Sequence, residues 1–77
     1  MEKLVEFLVL SLAQDKESVS VFSEEKENET VLTVSLSEQD FGRVIGKNGK
    51  NAQAIRTLAN LYAKLHEDNK KYTIKFE

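Results

Sequence analysis

The chain contains no cysteine, which excludes disulfides, thiol catalysis and thiolate metal sites and removes any need for an oxidising compartment. It contains no proline, and with no low-complexity tract or internal repeat, nothing marks a linker or a second domain. The single histidine, His66, falls at the expected end of a helix, where a lone histidine reads as a surface or capping residue rather than a catalyst. No apolar run approaches the roughly 20 residues of a membrane span. The apolar stretch near the N-terminus is interrupted by Glu2 and Glu6 and is followed by no small-residue cleavage site. A soluble, cytoplasmic protein is expected. Acid is also missing where it matters: residues 41–66 hold no Asp or Glu, yet Arg43, Lys47, Lys50, Arg56 and Lys64 all lie there. A formal net charge of -2 therefore conceals one basic block.

What is present fits one compact domain over residues 1–77. A domain of this size buries only a modest core, so an elaborate catalytic cavity is not expected. Apolar residues at 40% argue for a folded globule in spite of the 31% that are charged. Leu4, Val5, Leu8 and Leu12 recur at helical spacing, so the chain opens with an amphipathic helix from Glu2 to about Gln14. Ser18 to Phe22 and Thr30 to Leu36 are rich in β-branched residues, and Leu32, Val34 and Leu36 alternate with Thr33 and Ser35. The two runs form a hairpin across the charged link Ser23 to Glu29, with Glu24, Glu25, Glu27 and Glu29 at its solvated tip.

Ser37-Glu38-Gln39-Asp40 matches the Ser-x-x-acid pattern of a helix start, predicting a short helix through Val44 that Gly46 ends. A longer helix follows from about Gly49 to His66, with Ala52, Ile55, Ala59, Tyr62 and Ala63 at helical spacing and Leu58, Leu61 and Leu65 on an adjoining strip. After a polar turn over Glu67 to Lys71, Tyr72, Ile74 and Phe76 alternate as a last strand. The order α-β-β-α-α-β suggests an α+β sandwich, a three-stranded mixed sheet covered on one face by three helices. Its last strand returns by a helical crossover and so runs parallel to an earlier one.

The chemistry gathers at Gly46-Lys47-Asn48-Gly49, between the second and third helices. A glycine at each end lets the backbone turn tightly and approach another backbone closely. The third helix starts here, so its unpaired amides and positive dipole end favour phosphate oxygens. Lys47 and Lys50 add charge, and Val44, Ile45 and Ala52 offer an apolar surface for a base. By itself Gly-x-x-Gly is also the pattern of an ordinary helix cap and restart. A nucleotide phosphate loop is excluded, because Gly42, Gly46 and Gly49 fit neither Gly-x-x-x-x-Gly-Lys-Ser/Thr nor Gly-x-Gly-x-x-Gly.

The run Val44-Ile45-Gly46-Lys47-Asn48-Gly49-Lys50-Asn51-Ala52-Gln53-Ala54-Ile55 resembles the signature of KH domains, Val-Ile-Gly-x-x-Gly-x-x-Ile-x-x-Ile. The element order resembles the type II, prokaryotic arrangement. The short length, opening helix and Ile55-Arg56-Thr57-Leu58 make the chain similar to KhpA, a bacterial single-KH RNA-binding family. The resemblance implies that the loop clamps about four unpaired nucleotides while the groove beside it holds the bases. Gly46 and Gly49 would give backbone access, Lys47, Lys50 and Arg43 would supply charge, and Asn48 would complete the RNA-binding loop. Val44, Ile45, Ala52 and Ile55 would line or support the groove, with Arg56 as a secondary contact. It further implies a dimer, with a second copy or with a larger KhpB-like protein, and a role in bacterial RNA metabolism linked to cell division and envelope growth. One departure is Ala52, which stands where the signature has a larger aliphatic residue and would make the groove wall shallower.

No cofactor or metal is expected. Asp15, Asp40 and Asp68 are scattered, Asp40 serves the helix start, and Ser11, Ser18 and Ser37 have no histidine partner, so no enzyme is indicated. The rival reading is a protein-interaction subunit with a vestigial loop. The surplus strip on the long helix bears on it. Either Ala54, Leu58, Leu61 and Leu65 pack on the sheet, leaving Ala59, Tyr62 and Ala63 to cover the first helix, or part of the strip faces solvent and closes a two-fold dimer; the dimer is the expectation.

Overall fold

The computed structural model describes residues 1–66 and 69–77. Its elements are α1 (Glu2–Leu12), β1 (Ser20–Glu25), β2 (Glu29–Ser35), α2 (Glu38–Ile45), α3 (Lys50–Leu65) and β3 (Lys71–Phe76), with 3₁₀ turns at Lys16–Ser18 and Lys47–Gly49. The expected α-β-β-α-α-β order is the one found. The expected turn over 67–71 falls partly on Glu67 and Asp68, outside the described residues.

Strand β2 is central in the sheet order β1-β2-β3, antiparallel to β1 and parallel to β3. Its Leu32 and Val34 are fully buried and pack with Ile74 of β3 against Val5 and Val9 of α1, Val44 of α2 and Ile55 and Ala59 of α3. These residues come from every helix and from one side of the sheet, so the three helices share a single sheet face. Burying each large side chain contributes roughly 1.5–3 kcal/mol. The other face carries Phe22, Thr33 and Lys75 in one cross-strand row, and there Phe22 is largely exposed.

The hairpin differs from expectation in extent. Strand β1 starts later and runs on to Glu25, because Glu24 and Glu25 pair with Val31 and Thr30. The link shrinks to residues 26–28, closed by the Lys26 amide donating to the Glu29 carbonyl at 2.7 Å. Only Glu27 of the acidic run lies in the turn. Glu25 forms an ion pair with Lys70 at 3.1 Å, and the Glu29 carboxylate accepts from the Thr73 hydroxyl. An edge strand with one open face accommodates such charge, which also blunts edge-to-edge association.

On α3 the buried positions are Ala52, Ile55, Ala59 and Ala63. The adjoining leucines do not pack on the sheet: Leu58, Leu61 and Leu65 are 44, 50 and 73% exposed. Small alanines under the helix let it lie close to the layer beneath, and that leaves its leucine strip on the outside. Tyr62, also part of the expected buried stripe, is half-exposed and stacks on His66 with ring centroids 4.3 Å apart.

Candidate nucleic-acid interface

Ser37 starts α2 as its pattern predicts, its hydroxyl accepting from the Asp40 amide at 3.2 Å. The acid of the motif acts elsewhere. The Asp40 carboxylate accepts from the Gln14 amide at 3.1 Å and the Asp15 amide at 2.8 Å. It fastens the segment after α1 to the start of α2. These amides hold its pKa below the ordinary 3.8, with the Ser37 hydroxyl and Arg43 contributing less, against the opposing effect of burial.

Helix α2 stops at Gly46, whose φ of 81° and ψ of 170° suit glycine alone. A β-carbon there would lie 2.8 Å from the Asn51 Cγ. Asn51 fills that space, and its Nδ2 donates to the Arg43 carbonyl at 3.2 Å, tying the end of α2 to the first turn of α3. Asn48 is left-handed at φ 57°, a conformation asparagine tolerates better than most residues. Gly49 is left-handed at φ 73°, and a β-carbon there would meet nothing within 4 Å. The backbone at Gly49 is therefore open to whatever approaches. The Gly49 amide donates to the Gly46 carbonyl at 3.1 Å and closes the turn.

Around this loop Arg43, Lys47, Asn48 and Lys50 are exposed and Gly46 and Gly49 partly so. The first turn of α3 contains no acid, so the positive end of its dipole adds to the charge of Lys47 and Lys50. The apolar residues expected beside the loop divide into two groups. Val44, Ile55 and Ala52 are buried at 0, 3 and 2% exposure, and Val44 and Ile55 belong to the core between helices and sheet. Ile45 is half-buried and presents surface. Arg56 does not join the loop cluster. Its Nε and Nη2 donate to the Ile74 carbonyl at 3.3 and 3.2 Å, and its guanidinium carbon lies 5.6 Å from the centre of the Phe76 ring.

Asn51 is the residue that pattern reading passes over, although it stands inside the quoted signature run. A short amide side chain two places after the loop, opposite a glycine without a β-carbon, is the signal that would have pointed to it.

A strand, a helix, a Gly-x-x-Gly turn, a second helix and a strand parallel to the first, preceded by a helix and a strand, define a type II KH domain. The family model described as KhpA/KhpB, KH domain matches residues 2–76, and the chain belongs to that family. Relatives named RNA-binding protein KhpA include one from Listeria monocytogenes, 41% identical over 71 residues, 92% of this chain and 91% of the relative. One from Oceanobacillus iheyensis is 38% identical over 71 residues, 92% of each chain. One from Thermotoga maritima is 33% identical over 75 residues, 97% of this chain and 96% of the relative. No solved structure matches the chain significantly.

Proposed function

We propose that this chain is a single KH domain over residues 1–77 that binds single-stranded RNA in the cytoplasm. The loop 46–49 clamps the backbone of about four nucleotides, and the adjacent groove holds the bases. One observation carries the reading: between two helices stands a turn with positive φ at Gly46, Asn48 and Gly49, open at Gly49 and flanked by exposed cations in a stretch of 26 residues without an acid. The relatives named RNA-binding protein KhpA support it. Gly46 and Gly49 give access, Lys47, Asn48, Lys50 and Arg43 contact phosphates, and Ile45 meets a base over the support of Val44, Ala52 and Ile55. Replacing Lys47 and Asn48 by Asp puts two negative charges where phosphates pass, and removes RNA binding while leaving the fold intact. A variant that binds RNA as the native chain does overturns the reading.

The exposed strip Leu58, Leu61, Tyr62 and Leu65 supports a second element of the proposal, pairing through α3. A contiguous apolar patch on one helix suits a two-fold partner, either a second copy or a KhpB-like KH protein. Pairing sets two weak single-strand grooves on one particle, and avidity then raises affinity without a new contact. The chain acts by binding, with no catalytic step and no cofactor, in bacterial RNA metabolism.

A further inference from the structure

Five asparagines occur in the chain, at positions 28, 48, 51, 60 and 69, and Asn48 alone is followed by glycine. The side-chain amides of Asn51 and Asn60 are held, donating to the Arg43 and Arg56 carbonyls at 3.2 and 3.0 Å. Asn48 is exposed, and among the described residues its side-chain amide has no hydrogen-bond partner.

An asparagine before glycine carries a reaction of its own. The backbone nitrogen of the glycine attacks the asparagine Cγ and gives its proton to water; the N–Cγ bond forms, the Cγ–Nδ2 bond breaks, and ammonia leaves. The five-membered cyclic imide then takes up one water. Opening at Cγ leaves aspartate, and opening at the main-chain carbonyl leaves isoaspartate, whose backbone runs through Cβ. Water is the only co-reactant. A side chain on the second residue would shield the attacking nitrogen, and glycine has none; at Gly49 the place of a β-carbon is open to 4 Å.

The turn restrains this reaction. With ψ of 26° at Asn48, the Gly49 nitrogen points away from the Asn48 side chain, and its N–H is engaged by the Gly46 carbonyl at 3.1 Å. Ring closure requires ψ to swing round and that one hydrogen bond to break. Asn48 already occupies the sparsely populated left-handed region at φ 57°, and a single bond in an exposed turn is a small obstacle to local opening. The closed turn therefore slows the conversion without forbidding it.

We propose that Asn48 is a self-modification site, converted by water to aspartate and isoaspartate when the turn opens, and that the new carboxylate between Lys47 and Gly49 ends RNA binding by the loop. The second half rests on the reading of the 46–49 loop as the RNA clamp. A carboxylate there meets phosphates with like charge, and isoaspartate also lengthens the turn that the Gly46–Gly49 hydrogen bond spans. The test incubates the full native chain, folded and unfolded in urea, at mildly alkaline pH and follows intact mass and peptide maps with time. Exchange of NH₂ for OH raises the mass and adds a negative charge, so the product also separates by anion exchange. Asn48 should convert ahead of the other four asparagines, and more slowly in the folded chain than in urea. Gly49→Ala should slow the conversion several-fold in urea, where the turn plays no part. The separated product should bind a short unstructured RNA at least about tenfold more weakly than the unconverted chain, as should Asn48→Asp. No conversion at Asn48 in the folded chain while the urea sample converts, conversion led by another asparagine, or a product that binds RNA as the unconverted chain does, each overturns the proposal. RNA binding retained by the Lys47→Asp, Asn48→Asp variant sinks the loop clamp itself, whereas binding lost there but kept by the converted chain sinks only the role of Asn48.

Discussion

At Gly46 a side chain would have to displace Asn51, since a β-carbon falls 2.8 Å from its Cγ, and would also have to adopt φ 81°. At Gly49 the same substitution meets open space. Gly46→Ala should therefore cost roughly 1–3 kcal/mol of stability, on the order of 10 °C in Tm for a chain of this length. Gly49→Ala should cost only about 1–2 kcal/mol for the left-handed backbone but, on the proposed loop clamp, weaken RNA binding disproportionately, because its methyl would fill the open space beside the turn. Thermal melts and RNA titrations of both variants separate the two; equal behaviour in both assays would contradict this division. Asp40 gives a pH signature. Its folded pKa lies below the ordinary 3.8, so its carboxylate stabilises the fold fully above that value, and the contribution disappears as pH falls through the folded pKa. Asp40→Asn should lose stability at pH 7 and show a shallower decline below about pH 4 than the native chain, as read from denaturant midpoints across pH.

Among the elements, α3 divides most clearly into an inner and an outer surface. Ala52, Ile55, Ala59 and Ala63 face inward, and Leu58, Leu61 and Leu65 face out. If the outer strip pairs two copies, Leu58→Glu with Leu61→Glu should convert a dimer to a monomer in sedimentation velocity and change monomer stability by no more than about 0.5 kcal/mol, as for other surface positions. An unchanged sedimentation coefficient would remove the strip from the account.

The elements that local chemistry specifies were legible in the sequence. The alternation of Leu32, Val34 and Leu36 predicts β2, Ser37 predicts the start of α2, and the glycines predict the loop. Tertiary pairing decided the rest. Glu24 and Glu25 have poor strand propensity, yet they extend β1 because Val31 and Thr30 lie opposite. The Asp40 partners are 25 and 26 residues away, and the Arg56 partner is 18 residues away on another element. No periodicity encodes such distances. Within the candidate site, the loop and its cations were legible, whereas Asn51 was missed because its role depends on the shape of the loop it faces. The burial of Val44, Ala52 and Ile55 likewise depends on how the helices pack on the sheet.

For the molecule as a whole, charge distribution matters more than charge sum. A net charge of -2 coexists with a 26-residue stretch that holds five cations and no acid, and the structure places three of those cations, Arg43, Lys47 and Lys50, at or beside one exposed turn. The acids lie elsewhere, with Asp40 bound to backbone amides and Glu25 paired with Lys70. An overall acidic surface opposes indiscriminate binding to polyanions, and the local basic turn gives a phosphate backbone one favourable point of approach. Neutralising two or three phosphates on a single strand gives a slope of log affinity against log salt of roughly -1.5 to -2. The most direct test is a fluorescence-anisotropy titration of a short unstructured RNA, at two salt concentrations, with the native chain and with the Lys47→Asp, Asn48→Asp variant. Binding that weakens with salt at that slope and is lost in the variant is the result predicted; binding indifferent to salt, or equal in the two chains, would contradict the assignment of the 46–49 loop as the RNA clamp.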